Sequence, residues 1–210
     1  MQMDSFDKLY VDQLRDMFNA EKQITKALPK MVKAASNREL KSALEEHLEV
    51  TKRQVEKLEE IFRGLGRPAT GKTCKGMAGV LEEGQEVLEE DFEPDVLDAG
   101  IIAAAQKVEH YEIASYGTLR TFAETKGDTK SARILQEILE EEKDADRRLS
   151  ELAESSINME AESSTDEDSE DWAEEEGDGR SSRTTGKQAG ASPRTSDSSS
   201  RRKEGDGPWL

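Results

Sequence analysis

The sequence predicts an all-α protein: four long amphipathic helices packed as a bundle, a long crossover that contains a short helix, and a C-terminal tail outside the fold. Three observations carry this expectation. Apolar residues recur at helical spacing over four long stretches. Gly and Pro gather where those stretches stop. Beyond Ser155, Leu, Ile, Val, Phe and Met nearly vanish.

The first predicted helix covers residues 5–35 and carries an inward stripe of Tyr10, Leu14, Met17, Glu21, Ile24, Leu28 and Met31. The second runs from Asn37 to Arg63, with Leu40, Leu44, Leu48, Thr51, Val55, Leu58 and Phe62 facing inward; "GLGRP" ends it through Gly64, Gly66 and Pro68. Between Pro68 and Pro94, "MAGVLEEGQEVLEEDF" forms a short amphipathic helix through Met77, Val80, Leu81, Leu88 and Phe92. A helix of 25 residues is about 37 Å long, and this segment can travel that distance. Helices two and three are therefore expected to run parallel, while short links elsewhere join antiparallel neighbours. The third helix spans Pro94 to Glu124, with Gly127 at its end, and shows Ile101, Ala105, Val108, Glu112, Ser115, Leu119 and Phe122 inward. The fourth, Thr129 to Glu154, turns Leu135, Leu139, Glu142, Asp146, Leu149 and Ala153 to the core.

The expected domains are thus 1–155, the bundle, and 156–210, a disordered tail. Residues 160–178 contain eleven acids and no Lys or Arg, and a Ser-, Gly- and Arg-rich stretch follows. Such a composition buries too little apolar surface to offset the entropy of ordering. Trp172 and Trp209 are the tail's only aromatic residues, so it could dock on a partner; a solvating role is the plainer expectation.

The 210 residues carry a formal charge of −17, with a pI near 4.7. That balance argues against nucleic acid and anionic membrane as partners, since both would repel it, and makes a metal cation the natural one. No apolar run approaches a membrane span, and no export signal is visible in "MQMDSFDKLY", so a cytoplasmic location is expected. One cysteine, Cys74, excludes an internal disulfide and any multi-cysteine metal site.

Each inner stripe has a polar break near its middle. These are Glu21; Thr51 with His47 and Gln54 flanking it; Glu112 with Glu109 at the stripe's edge; and Glu142 with Asp146. Buried carboxylates raise one another's pKa and cost several kcal/mol unless something positive sits among them. Alone, Glu21 could pair with Lys22 or Arg15; four breaks at similar depth point instead to metal ions held between the helices. Glu-x-x-His pairs, the usual histidine placement in dimetal bundles, are missing. His47 suits either ligation or a hydrogen-bonded core edge, His110 turns outward, and Glu49 projects nearly opposite Thr51. Tyr111 and Tyr116 could donate hydrogen bonds to the acids, although packing is the commoner role.

With "AEKQITKALPKM", "EEHLEVTKRQVEKLE", "AAAQKVEHYEIASYGTL" and "LEEEKDADRRLSELA" on view, residues 4–155 resemble the YciF-like family of ferritin-like domains. The resemblance implies a ferritin-like four-helix bundle, a homodimer, an association with bacterial stress responses, and kinship with rubrerythrin and manganese catalase. It implies no settled enzymatic activity. Carried across by motif, the metal-side positions are Glu21, Glu109, Glu112, Glu142 and Asp146, with His47 a further candidate. One departure stands out: members commonly read "HLEET" in the second helix, where this chain reads "HLEVT", with Val50 in place of an acid.

The leading expectation is a stress-associated protein with a dinuclear iron or manganese site handling peroxide or dioxygen. The alternative is a non-catalytic stress or scaffold protein with an incomplete metal site, which Val50 and the missing Glu-x-x-His pairs favour. A third is an adaptor that works through its tail.

Overall fold

The computed structural model describes residues 5–166. Helices α1 (Phe6–Ala34), α2 (Arg38–Leu65), α4 (Pro94–Thr125) and α5 (Thr129–Leu152) form the bundle, and α3 (Lys75–Glu89) lies in the crossover. No strand occurs among the described residues, and no helix there is long and apolar enough to cross a membrane.

Local chemistry sets the helix ends. Ser5, Asn37 and Asp128 each accept hydrogen bonds from the first-turn N–H groups of α1, α2 and α5. Gly66 closes α2 at φ +61 and Gly127 follows α4 at φ +72, left-handed conformations that only glycine adopts without strain. Helix α3 stops at Glu89, short of the expected Phe92, which is largely exposed. The loop that runs into Pro94 explains this, because a residue before proline is pushed out of helical conformation.

Three contacts settle the directions of the long helices. Buried Asp98, in the second turn of α4, accepts from the backbone N–H groups of Ser36 (2.8 Å) and Asn37 (2.7 Å), so α4 begins where α2 begins. Lys126, just past α4, pairs with Asp7 at the start of α1. Arg148, late in α5, pairs with Glu46, early in α2. Thus α2 and α4 run parallel as expected, and α1 and α5 run the other way. Helix α3 lies against α1 and α4, with Gly76, Gly84 and Gly100 at the close approaches.

Most of the expected stripe residues fill the core; Ile61 and Ile138 join them from outside the stripes, while Leu48, Val55, Ser115 and Phe122 are half-buried. Tyr10, Leu14, Met17, Ile24, Leu40, Leu58, Ile61, Phe62, Met77, Ile101, Leu119, Leu135 and Ile138 are all at most 2 % exposed. At roughly 2 kcal/mol per fully buried large side chain, these layers supply much of the drive to fold.

Helical structure does not stop at Ser155. A π-helical turn, Ala153–Ile157, leads into α6, Asn158–Asp166, so the expected boundary at 155/156 falls inside a helix. Ile157 is 1 % exposed, and Ser164 Oγ donates to Asp95 at the start of α4 (3.0 Å). Those two anchors explain why a polar segment continues the helix. The rest of the expected tail, with Trp172 and Trp209, lies outside the described residues.

Candidate metal centre

Helical periodicity delivers the polar breaks of all four long helices to the middle of the bundle. Glu21, Gln54, Glu112 and Glu142 are at most 1 % exposed, Glu109 is 2 % and His47 9 %. One ligand atom from each of His47, Glu109, Glu112 and Glu142 lies within 4.8 Å of the other three. His47 Nε2 stands 3.3 Å from Glu109 Oε1 and 3.9 Å from Glu142 Oε2. Glu21 completes the group from α1, its carboxyl acting on that of Glu112, as Glu109 and Glu142 act on one another.

Burial governs the electrostatics. It pushes the Glu21 carboxyl up from 4.5 to about 7, against the opposing hydrogen bonds to Glu112 and Tyr116. Burial likewise raises Glu112 and Glu142 well above the usual carboxylate range, and the neighbouring carboxylates push in the same direction. Glu109 is also raised by burial, with His47 working against the rise.

Few protein groups satisfy these acids. The Tyr116 hydroxyl donates to Glu21 Oε1. Gln54 Nε2 donates to Glu142 Oε1, and to Glu141 Oε2 at 3.1 Å. Left without a hydrogen bond are Glu21 Oε2, Glu109 Oε2, Glu112 Oε1, Glu142 Oε2 and His47 Nε2. Five buried ligand atoms that make no hydrogen bond are costly as they stand. They are the oxygen-rich set, with one imidazole nitrogen, that suits iron or manganese. The residues present fit such a centre.

The structure sorts the sequence candidates. It brings together Glu21, His47, Glu109, Glu112 and Glu142. Asp146 lies at the margin: its charge acts on Glu109, but its side chain is 23 % exposed and lies 3.3 Å from His110 Nε2 and 3.2 Å from Gln106 Nε2. His110 is turned outward, as its helical phase requires, and Glu49 is exposed beside Lys52. Neither Lys22 nor Arg15 neutralises Glu21; Arg15 instead donates to the Pro68 carbonyl at 3.1 Å. Tyr111 donates to Asp16 (3.1 Å), with Cys74 Sγ 3.0 Å from its hydroxyl, away from the acids.

Two roles were only partly visible beforehand. Tyr116 is fully buried beside Glu21, while Ser115, the stripe member, is half-buried. Its spacing of four from Glu112 was the available signal. Gln54, seen as a flank, proves to orient Glu142 directly.

The profile of the family described as "Domain of unknown function (DUF892)" matches residues 5–162. The chain belongs to this family. It is 44 % identical over 163 residues to Protein YciF of Escherichia coli K12, covering 77 % of this chain and 98 % of that protein. The crystal structure of the E. coli stress protein YciF superposes with a TM-score of 0.72 at 44 % identity, over 74 % of this chain and 99 % of that one. YcfI of Rhodopseudomonas palustris is similar, with a TM-score of 0.69 at 44 % identity, over 71 % of this chain and 97 % of that one. The region shared with YciF is the helical bundle that carries the acids.

Proposed function

We propose that this member of the family is a stress-associated protein holding two iron or manganese ions in its bundle core and handling peroxide or dioxygen there. One observation carries the reading: ligand atoms of His47, Glu109, Glu112 and Glu142 meet within 4.8 Å, and each of these residues, like Glu21, keeps a buried atom without a hydrogen bond. The stress association rests on the similarity to the E. coli stress protein.

Glu21 with Glu112, and Glu109 with Glu142, are the two carboxylate pairs that would hold the ions, and His47 would add a nitrogen. Bound iron or manganese would supply electron exchange with dioxygen or peroxide. The chain's own residues do the rest. Tyr116 fixes the Glu21 carboxylate and keeps a proton beside it, since burial and the adjacent acids raise its phenol well above the usual range. Gln54 orients Glu142 and cannot itself titrate. Apolar layers of Leu14, Met17, Ile24, Leu58 and Leu135 keep bulk water out, which strengthens each electrostatic contact. The reading includes a homodimer, carried over from the resemblance, and a cytoplasmic location.

The test is metal content by mass spectrometry on protein purified without a metal-affinity tag. We expect about two ions per chain, lost in Glu112→Gln with Glu142→Gln. Protein that stays metal-free after anaerobic reconstitution with iron or manganese would refute the reading. Val50, which offers no ligand where relatives commonly carry an acid, would then mark a bundle retained as a scaffold.

A further inference from the structure

A cavity of about 240 Å³ between α2 and α5 ends at the buried acids. Its lining includes His47 and Glu109, two members of the cluster. Four other cavities in the described residues touch none of the five cluster residues. The side chains along this one form a gradient of exposure. Asp144 is 65 % exposed, Glu46 61 %, Glu141 33 %, His47 9 % and Glu109 3 %. Carboxylates therefore line the path from solvent to core.

The mouth has a guard. Arg148 of α5 reaches across to Glu46 of α2, and both line the cavity. Further along, Glu141 is steadied by Lys57 at 2.7 Å and Gln54 at 3.1 Å; Gln54 also holds Glu142 of the cluster. Val50, one turn from both Glu46 and His47 on α2, lines the same space and offers no ligand that would trap an ion on the way.

We propose that this cavity is the loading route for a divalent metal cation. Glu46 and Asp144 capture the ion, Glu141 relays it, and His47 with Glu109 receive it at the core. Arg148 is the group the ion displaces from Glu46. The lining charge favours a cation: Glu46, Glu109, Glu141 and Asp144 stand among apolar Ala43, Leu44, Val50, Ala145 and Leu149. The cations that pair with the outer three, Arg148 with Glu46, Arg147 with Asp144 and Lys57 with Glu141, are the groups an entering ion displaces. A cleft of one sign of charge with low-dielectric walls concentrates the opposite charge. Each carboxylate can also replace a water that a hard cation must shed before it enters a dry core. Two buried atoms without a hydrogen bond, His47 Nε2 and Glu109 Oε2, stand at the inner end.

This inference rests on the metal-centre reading, and the experiment separates the two. Metal-free full-length chain is mixed with Co(II) in a stopped-flow instrument, and the d–d absorption of bound cobalt is followed to its end point. Glu46→Gln with Asp144→Asn should slow uptake about tenfold at low salt, an effect lost in ~0.5 M salt, with the end point unchanged. A control with the same charge change elsewhere, Glu83→Gln with Glu124→Gln, should leave the rate near that of the parent. Arg148→Gln should speed uptake. Val50→Trp, which narrows the path, should slow uptake at every salt concentration while final cobalt content and helical circular dichroism stay at parent values. Uptake by the parent with equal rates in the mouth variants and the control overturns the route alone. No cobalt uptake by the parent overturns both the route and the metal centre.

Discussion

Without metal, the buried acids should make this protein less stable as the pH rises, the reverse of ordinary acid denaturation. Glu21 shows the sign. Its carboxyl ionises near 4.5 in an unfolded chain and near 7 in the bundle, so the fold binds the proton more tightly. Stability from that proton is complete below about pH 4.5 and is lost as the pH passes through 7. At pH 5.5 the folded carboxyl still holds its proton, about 1.5 pH units below its own midpoint, while the unfolded one is ionised. At ~1.36 kcal/mol per unit this favours the fold by about 2 kcal/mol. At pH 8 both states are ionised and the contribution is gone. Glu109, Glu112 and Glu142 shift in the same direction, so Glu21 sets a lower bound. Exposed Glu46 and Glu60, held low by Arg148 and Lys130, are already ionised at pH 5.5 and do not oppose it. For a domain of this size, 2 kcal/mol corresponds to about 4–8 °C in Tm. The assay is thermal unfolding followed by circular dichroism on chelator-treated protein at pH 5.5 and pH 8. Protein loaded with Mn(II) should behave oppositely, because metal binding favours the ionised carboxylates and tightens as pH rises. A metal-free Tm that stays level or climbs between pH 5.5 and 8 would sink the reasoning.

Two further predictions probe the scaffold around the site. Asp98→Ala leaves the N–H groups of Ser36 and Asn37 unpaired at the α1–α2 turn, and should cost about 3 kcal/mol in denaturant unfolding. An unchanged midpoint would mean that water replaces the carboxylate without loss. Gly76→Ala would place a Cβ 2.8 Å from Tyr111 Cε2 and 2.9 Å from its hydroxyl. It should destabilise by about 1–3 kcal/mol, and the thiol of Cys74, released from Tyr111, should become reactive to a thiol reagent at a faster rate.

The long helices and three of the four clustered acids were legible because a buried stripe needs no knowledge of its neighbours. A period of 3.6 states which side of a helix is apolar, and an acid in the middle of that side is visible at once. Glu21, Glu112 and Glu142 were found in this way, and all are at most 1 % exposed. Glu109 and Asp146 show the limit. Glu109 sits at the edge of its stripe yet is 2 % exposed, because α4 is packed against α1, α3, α5 and α6 and its edge is covered as well. Asp146 sits within its stripe yet its side chain is 23 % exposed, where exposed His110 and half-buried Gln106 stand beside it.

The sequence by itself determined the four long helices, the parallel run of α2 and α4, and the presence of several acids at one depth. Those properties depend on spacing along a single chain segment. Only the tertiary structure decided which acids share a volume, that Tyr116 rather than Lys22 or Arg15 partners Glu21, and that Val50 lines an opening to the core. Each of these depends on the rotation and offset of one helix against another. That relation is set by how side chains of different size interlock across the bundle, which periodicity within one helix does not contain.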